Sequence, residues 1–130
     1  MADESVTDHG SLIRIIRANA ADLIKVKVMK QGGIHNTHRM IATAKAAGIR
    51  CVVGHGFGLG IDTLAEIMVA ASSDNVIDGI ECVGPLKTAD DIVTHKLDLG
   101  TGSLPLPAGP GLGATLDEEK LRQYRFDANA

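Results

Sequence analysis

The sequence predicts an α/β fold in which parallel strands alternate with helices, as they do in a (β/α) barrel. Three apolar runs have the length of buried strands and recur about every 26 or 27 residues: Leu23–Val28, Ile49–Val53 and Val76–Ile80. The stretches between these runs have helical periodicity. Because crossovers between parallel strands are right-handed, we expect consecutive strands to lie side by side, with functional residues at their carboxyl ends.

The composition fits one domain with a modest, mainly aliphatic core. The chain has 130 residues, of which 45% are hydrophobic and only 2% aromatic. Its formal net charge of −3 gives no electrostatic reason to expect a nucleic acid or membrane partner. No apolar run approaches the roughly 20 residues that span a bilayer, and the acidic start MADESVTDHG does not resemble a signal peptide. We therefore expect a cytoplasmic protein.

The two cysteines favour the same compartment. Cys51 and Cys82 lack the spacing of metal ligands, and each lies in or beside an apolar strand run. We predict that both are buried, reduced thiols rather than the two halves of a disulfide.

The first part of the chain is predicted to contain a helix, a strand and a second helix. Apolar residues recur on one face of Ser11–Ala20 and predict the first helix. The strand Leu23–Val28 follows, and side-chain alternation places Lys25 and Lys27 on the same side of it. The second helix is predicted from about Asn36 to Ala47, where a glycine ends it.

A second strand–helix unit and a third strand follow. The strand Ile49–Val53 leads into the glycine-rich loop Gly54–Gly60. Apolar residues at i, i+3, i+4, i+7 and i+8 then predict a helix over Ile61–Ser72. The third strand is predicted over Val76–Cys82 and ends at a Gly-Pro turn.

The last part of the chain has a different texture. Residues 84–114 hold all four prolines and no long periodic run. This pattern predicts turns, a short helix near Ala89–Val93 and a hairpin through Leu97–Leu106. Asp117 is positioned to cap a final helix, Glu118–Tyr124.

Three strands with their helices cannot close a barrel. A complete eight-stranded barrel needs about 250 residues, nearly twice the length of this chain. The second and third residues already have the character of a strand tip. On physical grounds alone, the sequence is therefore typical of the later half of a barrel.

Four segments of the chain carry a resemblance to a known family. They are Ala2–Ser5, Lys25–Gly33, Glu81–Leu86 with Asp90–Ile92, and Leu106–Gly113 with Leu116–Glu118. In order and spacing they resemble the fifth, sixth and eighth barrel strands and the C-terminal return of the mandelate racemase and muconate-lactonizing branch of the enolase superfamily.

The resemblance implies a particular part of the fold. This part is the C-terminal half of a TIM-type (β/α) barrel, with strands six to eight and their helices, plus a C-terminal return segment. Residues 1–95 would form the partial barrel, and residues 96–130 would pack on a capping domain that has no counterpart in this chain.

The resemblance also implies an activity and a cofactor. It implies abstraction of the proton alpha to a carboxylate, with magnesium stabilising the resulting enediolate. Asp3 matches the third acidic magnesium ligand, Lys27 the second catalytic base, and Glu81 the eighth-strand carboxylate that contacts the substrate. The other metal ligands and the lysine pair of the second strand have no counterpart here. We therefore expect a fragment with little or no activity alone.

Two positions depart from the patterns of individual family members. Gly58 stands where muconate-type members often carry an acidic residue, which argues against muconate as the substrate. His55 stands where mandelate-type members place a catalytic histidine, but that histidine works with an aspartate where this chain has Lys27. The resemblance therefore favours a lysine-type racemase, epimerase or cycloisomerase, with the small carboxylate substrate left open.

The same residues can be interpreted without the family. A lysine inside an apolar strand should face the barrel interior or its mouth, where burial lowers its pKa and makes Lys27 a usable base. Lys25 points the same way and either binds substrate or pairs with an interior carboxylate. Lys30 is interpreted as a surface residue of a turn. An unpaired Glu81 would be costly, so its alternative role is a salt bridge to a lysine. His55 either contacts substrate or has no role.

Two other classes of function stay open. A non-catalytic half-barrel would associate with itself or with a separate N-terminal half, because an open sheet leaves unpaired backbone groups at its edges. A small phosphate- or nucleotide-binding module is the less favoured alternative. The glycines of residues 54–60 have the spacing G-x-G-x-G-x-G, which is not that of a phosphate-binding loop.

Overall fold

The computed structural model describes residues 1–81, 83–100 and 102–126. Two strands and four α-helices alternate along the chain. In chain order they are α1 (His9–Arg17), β1 (Leu23–Val26), α2 (Ile34–Ala46), β2 (Arg50–Val53), α3 (Gly60–Ala71) and α4 (Glu118–Tyr124). A 3₁₀ helix, Gly84–Leu86, follows α3. None of the helices in these residues is both long enough and apolar enough to cross a bilayer.

The sheet has the parallel order that the strand spacing predicts. β1 and β2 pair in parallel, with Leu23 opposite Arg50 and Val26 opposite Val53. A parallel bridge from Ala2 extends the sheet on the β1 side, and another from Val76 extends it on the β2 side. Four consecutive segments therefore lie side by side, which confirms the predicted arc of a (β/α) barrel.

The third predicted strand, Val76–Cys82, is less regular than expected. Beyond the bridge at Val76, the Ile77 N–H donates to the Cys51 carbonyl at 2.8 Å, and the Glu81 N–H donates to the Val53 carbonyl at 3.1 Å. Between them Gly79 has a φ of +91°, which takes the backbone out of the extended region and interrupts the ladder. Cys82 lies outside the described residues.

The helix boundaries agree with the prediction to within three residues. α1 begins two residues earlier than expected because Asp8 and Ser11 form a reciprocal cap. The Asp8 carboxylate accepts from the Ser11 N–H at 2.7 Å, and the Ser11 hydroxyl accepts from the Asp8 N–H at 3.0 Å. The helix ends before the predicted Ala20, since Asn19 has a left-handed φ of +48°.

The core is aliphatic, as the composition predicts. Its side chains come from both strands, from the helices and from the flanking segments. The most deeply buried apolar members are Val6, Leu12, Ile24, Val26, Met40, Ile41, Ala44, Cys51, Val53 and Val69. Cys51 is unpaired and buried, as predicted, and its burial raises the pKa of the thiol to about 11.

The segment after α3 differs from the prediction in two places. The short helix predicted near Ala89–Val93 does not form. Instead the Asp91 carboxylate accepts from the backbone N–H groups of Gly60 at 2.9 Å and Ile92 at 2.7 Å, which satisfies those donors without helical hydrogen bonds. The hairpin predicted through Leu97–Leu106 is also absent from residues 97–100 and 102–106.

The last helix is found where the sequence predicts it. Asp117 caps α4 by accepting from two backbone N–H groups of its first turn. Asp90 then joins this helix to the rest of the molecule, because its carboxylate accepts from the Lys120 ammonium at 2.6 Å and the Tyr124 hydroxyl at 3.0 Å. Lys96 also approaches Asp90, at 3.3 Å.

We predict that Asp90→Asn loosens α4. The hydrogen bond from Lys120 holds the pKa of Asp90 below its ordinary value of 3.8, so the attachment is present above that value and is lost as the pH falls through the lowered pKa. Protection of Glu118–Tyr124 from hydrogen exchange, corrected for the chemical dependence of exchange on pH, should be weaker in the variant at pH 7, and weaker in the unmodified chain at strongly acidic pH than at pH 7. Asp74→Asn is the matched control, since Asp74 pairs with Lys45 on α2. Equal exchange in both variants would contradict this role of Asp90.

Candidate functional site

All five residues proposed from the sequence lie at the carboxyl ends of neighbouring strand segments. Asp3 follows the bridge at Ala2, Lys25 lies in β1 and Lys27 directly follows that strand. His55 follows β2, and Glu81 follows the segment that begins at Val76. Because parallel strands point the same way, their side chains reach one edge of the sheet.

The charged side chains form a connected network. Asp3 Oδ1 lies 3.2 Å from Lys27 Nζ, and Asp3 Oδ2 lies 3.8 Å from Lys25 Nζ. Lys25 Nζ also donates to Glu81 Oε1 at 2.8 Å, which is the lysine–carboxylate pairing predicted as the alternative role of both residues. Glu4 forms an ion pair with Lys27. The structure thus brings together Asp3, Lys25, Lys27 and Glu81.

Lys30 belongs to this network: it lies in a turn, as predicted, but the prediction that it is a surface residue is wrong. Its ammonium donates to Asp3 Oδ1 at 2.8 Å and to the Asp3 carbonyl at 2.7 Å, and its side chain is only 11% exposed. The turn after β1 directs Lys30 toward Asp3. The Gln31 side chain stabilises this turn, because its Oε1 accepts from the Lys27 N–H and its Nε2 donates to the Val6 carbonyl. A turn lysine gives no local sequence signal of such a contact.

The electrostatics of Lys27 also differ from the expectation. We expected burial to lower its pKa. The hydrogen bond to Glu4, together with the hydrogen bond and charge of Asp3, instead raises the pKa of Lys27, although burial acts in the opposite direction. Burial would raise the pKa of Asp3, but the hydrogen bonds and charges of Lys30 and Lys27 hold it below its ordinary value. Both groups are therefore charged at neutral pH.

His55 lies beside the network but is not hydrogen-bonded to it. Its Nε2 is 4.0 Å from Glu81 Oε2. Its ring packs edge-on against Phe57, with 4.5 Å between the ring centroids. Phe57 has a left-handed φ of +58° and is 61% exposed, so the loop presents an aromatic ring to solvent next to the charged side chains.

Gly54, the first residue of the glycine-rich loop, leaves room for the Lys25 side chain. A Cβ atom at Gly54 would lie 2.6 Å from Lys25 Cδ and 2.8 Å from its Cγ. A side chain at this position would therefore displace the lysine stem. The structure thus shows this glycine making room for a lysine.

Two acidic residues of α3 are functional candidates that the sequence interpretation missed. Glu66 is 1% exposed, and Asp62 lies one turn before it. Burial, and then the charge of Asp62, raises the pKa of Glu66 to about 8, whereas the Gly56 backbone and the charge of Lys27 act against that shift. Burial also raises the pKa of Asp62. An acidic residue inside the apolar pattern of this helix was the available signal.

The described residues do not by themselves form a magnesium site. Magnesium prefers an octahedral set of oxygen ligands. Asp3, the predicted ligand, is bound to lysine ammonium groups, and no cluster of three or more histidine, cysteine or acidic residues suited to a metal occurs in the described part of the chain.

We predict that Gly54→Ala destabilises the protein by about 1–3 kcal/mol, because the added methyl group overpacks the Lys25 stem. Denaturant unfolding should show the loss. Gly10→Ala in α1 is the matched control: its added Cβ would have no neighbour closer than 3.4 Å, and replacing a helical glycine stabilises by up to about 1 kcal/mol. Unchanged stability in Gly54→Ala would show that the lysine stem is not confined.

Comparison with known proteins agrees with this architecture. The model of the enolase C-terminal domain-like family matches residues 1–120. Muconate cycloisomerase 1-1 of Acinetobacter lwoffii is 38% identical over 127 residues, which are 98% of this chain and 34% of that protein. Muconate cycloisomerase 1 of Rhodococcus opacus is 34% identical over 124 residues, covering 95% of this chain and 33% of that protein.

Solved structures give the same result. Muconate lactonizing enzyme from Pseudomonas putida superposes with a TM-score of 0.88 at 32% identity, covering 95% of this chain and 35% of that one. N-succinyl Arg/Lys racemase from Bacillus cereus gives 0.85 at 32% identity, covering 93% and 32%. This chain spans about a third of the length of the relatives it matches. The chain belongs to the mandelate racemase and muconate-lactonizing branch of the enolase superfamily, and it corresponds to the C-terminal part of the barrel domain.

Proposed function

We propose that this chain supplies the strand-end residues of an enzyme that abstracts the proton alpha to the carboxylate of a small substrate. The observation that supports the proposal is the convergence of Lys25, Lys27, Asp3 and Glu81 from neighbouring parallel segments. An ammonium group at this edge can bind a substrate carboxylate, and a lysine amine can accept the alpha proton. We assign proton transfer to Lys27 Nζ, which must first lose its proton to solvent and leave its contacts with Asp3 and Glu4, because those contacts keep it charged.

The other site residues have supporting roles in this proposal. Lys25 binds the substrate and keeps Glu81 in place through their 2.8 Å hydrogen bond. Glu81 contacts the substrate at the end of its segment. His55 lines the same edge, because it lies beside Glu81 on the neighbouring loop.

We include magnesium because of the family to which the chain belongs; the described contacts do not themselves indicate a metal. Asp3 would supply one carboxylate ligand. The remaining oxygen ligands would have to come from outside this chain, because Asp3 is the single predicted ligand here. Metal binding would also require Asp3 to exchange lysine contacts for the metal.

The chain is proposed to be inactive alone and to function with further barrel strands. Apolar side chains of Ile77, Ile80, Val83 and Leu106 line a groove beside the segment that begins at Val76. A covering element there would shield these side chains from water. The occupant would be a second copy of the chain or the N-terminal half of a barrel. We also propose a cytosolic location, which the buried, unpaired Cys51 supports.

The reaction class is better supported than the substrate. The names of similar proteins include a muconate cycloisomerase, an N-succinyl Arg/Lys racemase and an L-Ala-D/L-Glu epimerase. These names agree with a proposed racemase, epimerase or cycloisomerase. Gly58, where muconate-type members often carry an acid, argues against muconate.

A chimera tests the proposal. This chain would replace the corresponding third of muconate cycloisomerase 1-1 of Acinetobacter lwoffii, and exchange of the alpha proton for deuterium would be followed by NMR with magnesium and a panel of N-acylated amino acids and dipeptides. We expect magnesium-dependent exchange with at least one substrate. Lys27→Ala should reduce its rate by about 10²–10⁴-fold, the usual contribution of a general base.

Lys45→Ala is the matched control, since Lys45 is a solvated lysine of α2. It should leave the exchange rate unchanged. Equal exchange rates in the Lys27→Ala and unmodified chimeras would exclude Lys27 as the base. A folded chimera that exchanges no substrate in the panel would contradict the proposed activity.

The two alternative functions predict different behaviour of the 130-residue chain itself. We expect sedimentation to show self-association or poor solubility, because the sheet edge and groove are open; a stable monomer would count against the fragment interpretation. We expect no change in the melting temperature with ATP or NAD. A rise would favour a nucleotide-binding module.

A further inference from the structure

Asp62 and Glu66 have no role in the function proposed above, yet their burial is costly. They lie four residues apart on α3, so their side chains project from the same face of the helix. Asp62 Oδ2 and Glu66 Oε1 are both buried and have no hydrogen-bond partner among the described residues. A buried carboxylate oxygen without a donor costs free energy, so a proton or a displaced segment must compensate.

Both carboxyl groups lie against the loop between β2 and α3. The Asp62 side chain occupies the space beside Gly58, where a Cβ atom would lie 2.7 Å from Asp62 Cγ. Glu66 interacts with the backbone N–H of Gly56. His55 precedes Gly56, and Phe57 lies between Gly56 and Gly58. The acidic side chains therefore support the part of the loop that faces the charged network.

The surroundings of Glu66 act on its protonation in opposite directions. Burial and the charge of Asp62 favour its neutral form, whereas the Gly56 N–H and the Lys27 charge from the end of β1 favour its anion. With the pKa raised to about 8, the neutral form predominates at pH 7.

Two further side-chain contacts lie at the ends of α3. Asp91 binds the N–H of Gly60 at the start of α3. His38 of α2 lies 3.2 Å from the Ser72 hydroxyl at the far end. The 3₁₀ helix Gly84–Leu86 has no titratable side chain.

We propose that protonated Glu66, together with Asp62, positions the β2–α3 loop that carries His55, and that loss of this proton to solvent releases the loop. The proton turns one carboxyl group into a hydrogen-bond donor and removes the repulsion between two buried anions. When it is lost, two negative charges one turn apart lie beneath the loop and repel each other. The consequence for His55 rests on the proposed function, whereas the response of the loop to pH does not.

The sign of the effect follows from the direction of the pKa shift. We call the loop closed when it packs on α3 as in the structure, and open when it is released. Glu66 holds its proton more tightly in the closed state than in the open state, where the carboxyl would have a pKa near its ordinary 4.5. Closure is therefore favoured most below the ordinary pKa of 4.5, weakens as the pH rises above that value, and stops weakening above about 8, where both states have lost the proton.

Hydrogen exchange of the full 130-residue chain tests the proposal. Protection of residues 54–60, corrected for the chemical dependence of exchange on pH, should fall by about tenfold or more between pH 6 and pH 9. Glu66→Gln keeps a polar side chain of the same shape without a titrating proton, so its loop protection should not depend on pH. Asp62→Asn should show a weaker dependence than the unmodified chain, because one of the two charges is missing.

Glu119→Gln is the matched control, since Glu119 is exposed on α4, and it should behave like the unmodified chain. A Glu66→Gln loop as sensitive to pH as the unmodified one would overturn the proposal, as would a loop in the unmodified chain that does not respond to pH. If Glu66→Gln does not fold, the ¹³C shift of the Glu66 carboxyl in the unmodified chain decides: titration near pH 8 supports the proposal, and titration near its ordinary 4.5 overturns it. No substrate or metal is present in these measurements, so their failure is distinct from failure of the chimera.

Discussion

The parallel pairing of β1 with β2 is the constraint on which the functional end of this protein depends. It directs the charged residues that follow each strand toward a single edge. Three lysine ammonium groups meet there, and their mutual repulsion would be unfavourable without counter-charges. The Asp3 carboxylate lies within 4 Å of all three ammonium groups, which belong to Lys25, Lys27 and Lys30. The ionic network is thus held together by a carboxylate from a segment outside the regular strands.

The same end of the sheet combines close packing with unbalanced charge. Gly54 allows the Lys25 stem to lie against the backbone, and the loop that follows has buried carboxyl groups of α3 beneath it. Lysine charges are matched by carboxylates on one side of the loop, whereas the acids on the other side have no basic partner at hydrogen-bond distance in the described residues. This asymmetry makes the loop the place where a change of protonation has a structural effect.

Features that depend on local interactions were predicted more accurately from the sequence than features that depend on distant residues. α4 has the predicted bounds because its cap, Asp117, and its periodicity are local. The strand Val76–Cys82 and the hairpin Leu97–Leu106 were predicted less well, since their hydrogen bonds depend on distant partners and on the left-handed Gly79. Lys30 was misplaced for the same reason: its partner, Asp3, lies 27 residues away.

The sequence by itself determined the order of helices and strands as far as α3, the bounds of α4, the family, and which residues reach the carboxyl ends of the strands. These follow from periodicity, spacing and motifs, which are properties of neighbouring residues. Only the tertiary structure decided that Lys30 joins the network, that the pKa of Lys27 is raised rather than lowered, and that Glu66 is buried. Ion pairing and desolvation depend on distances between side chains remote in sequence, and folding alone sets those distances.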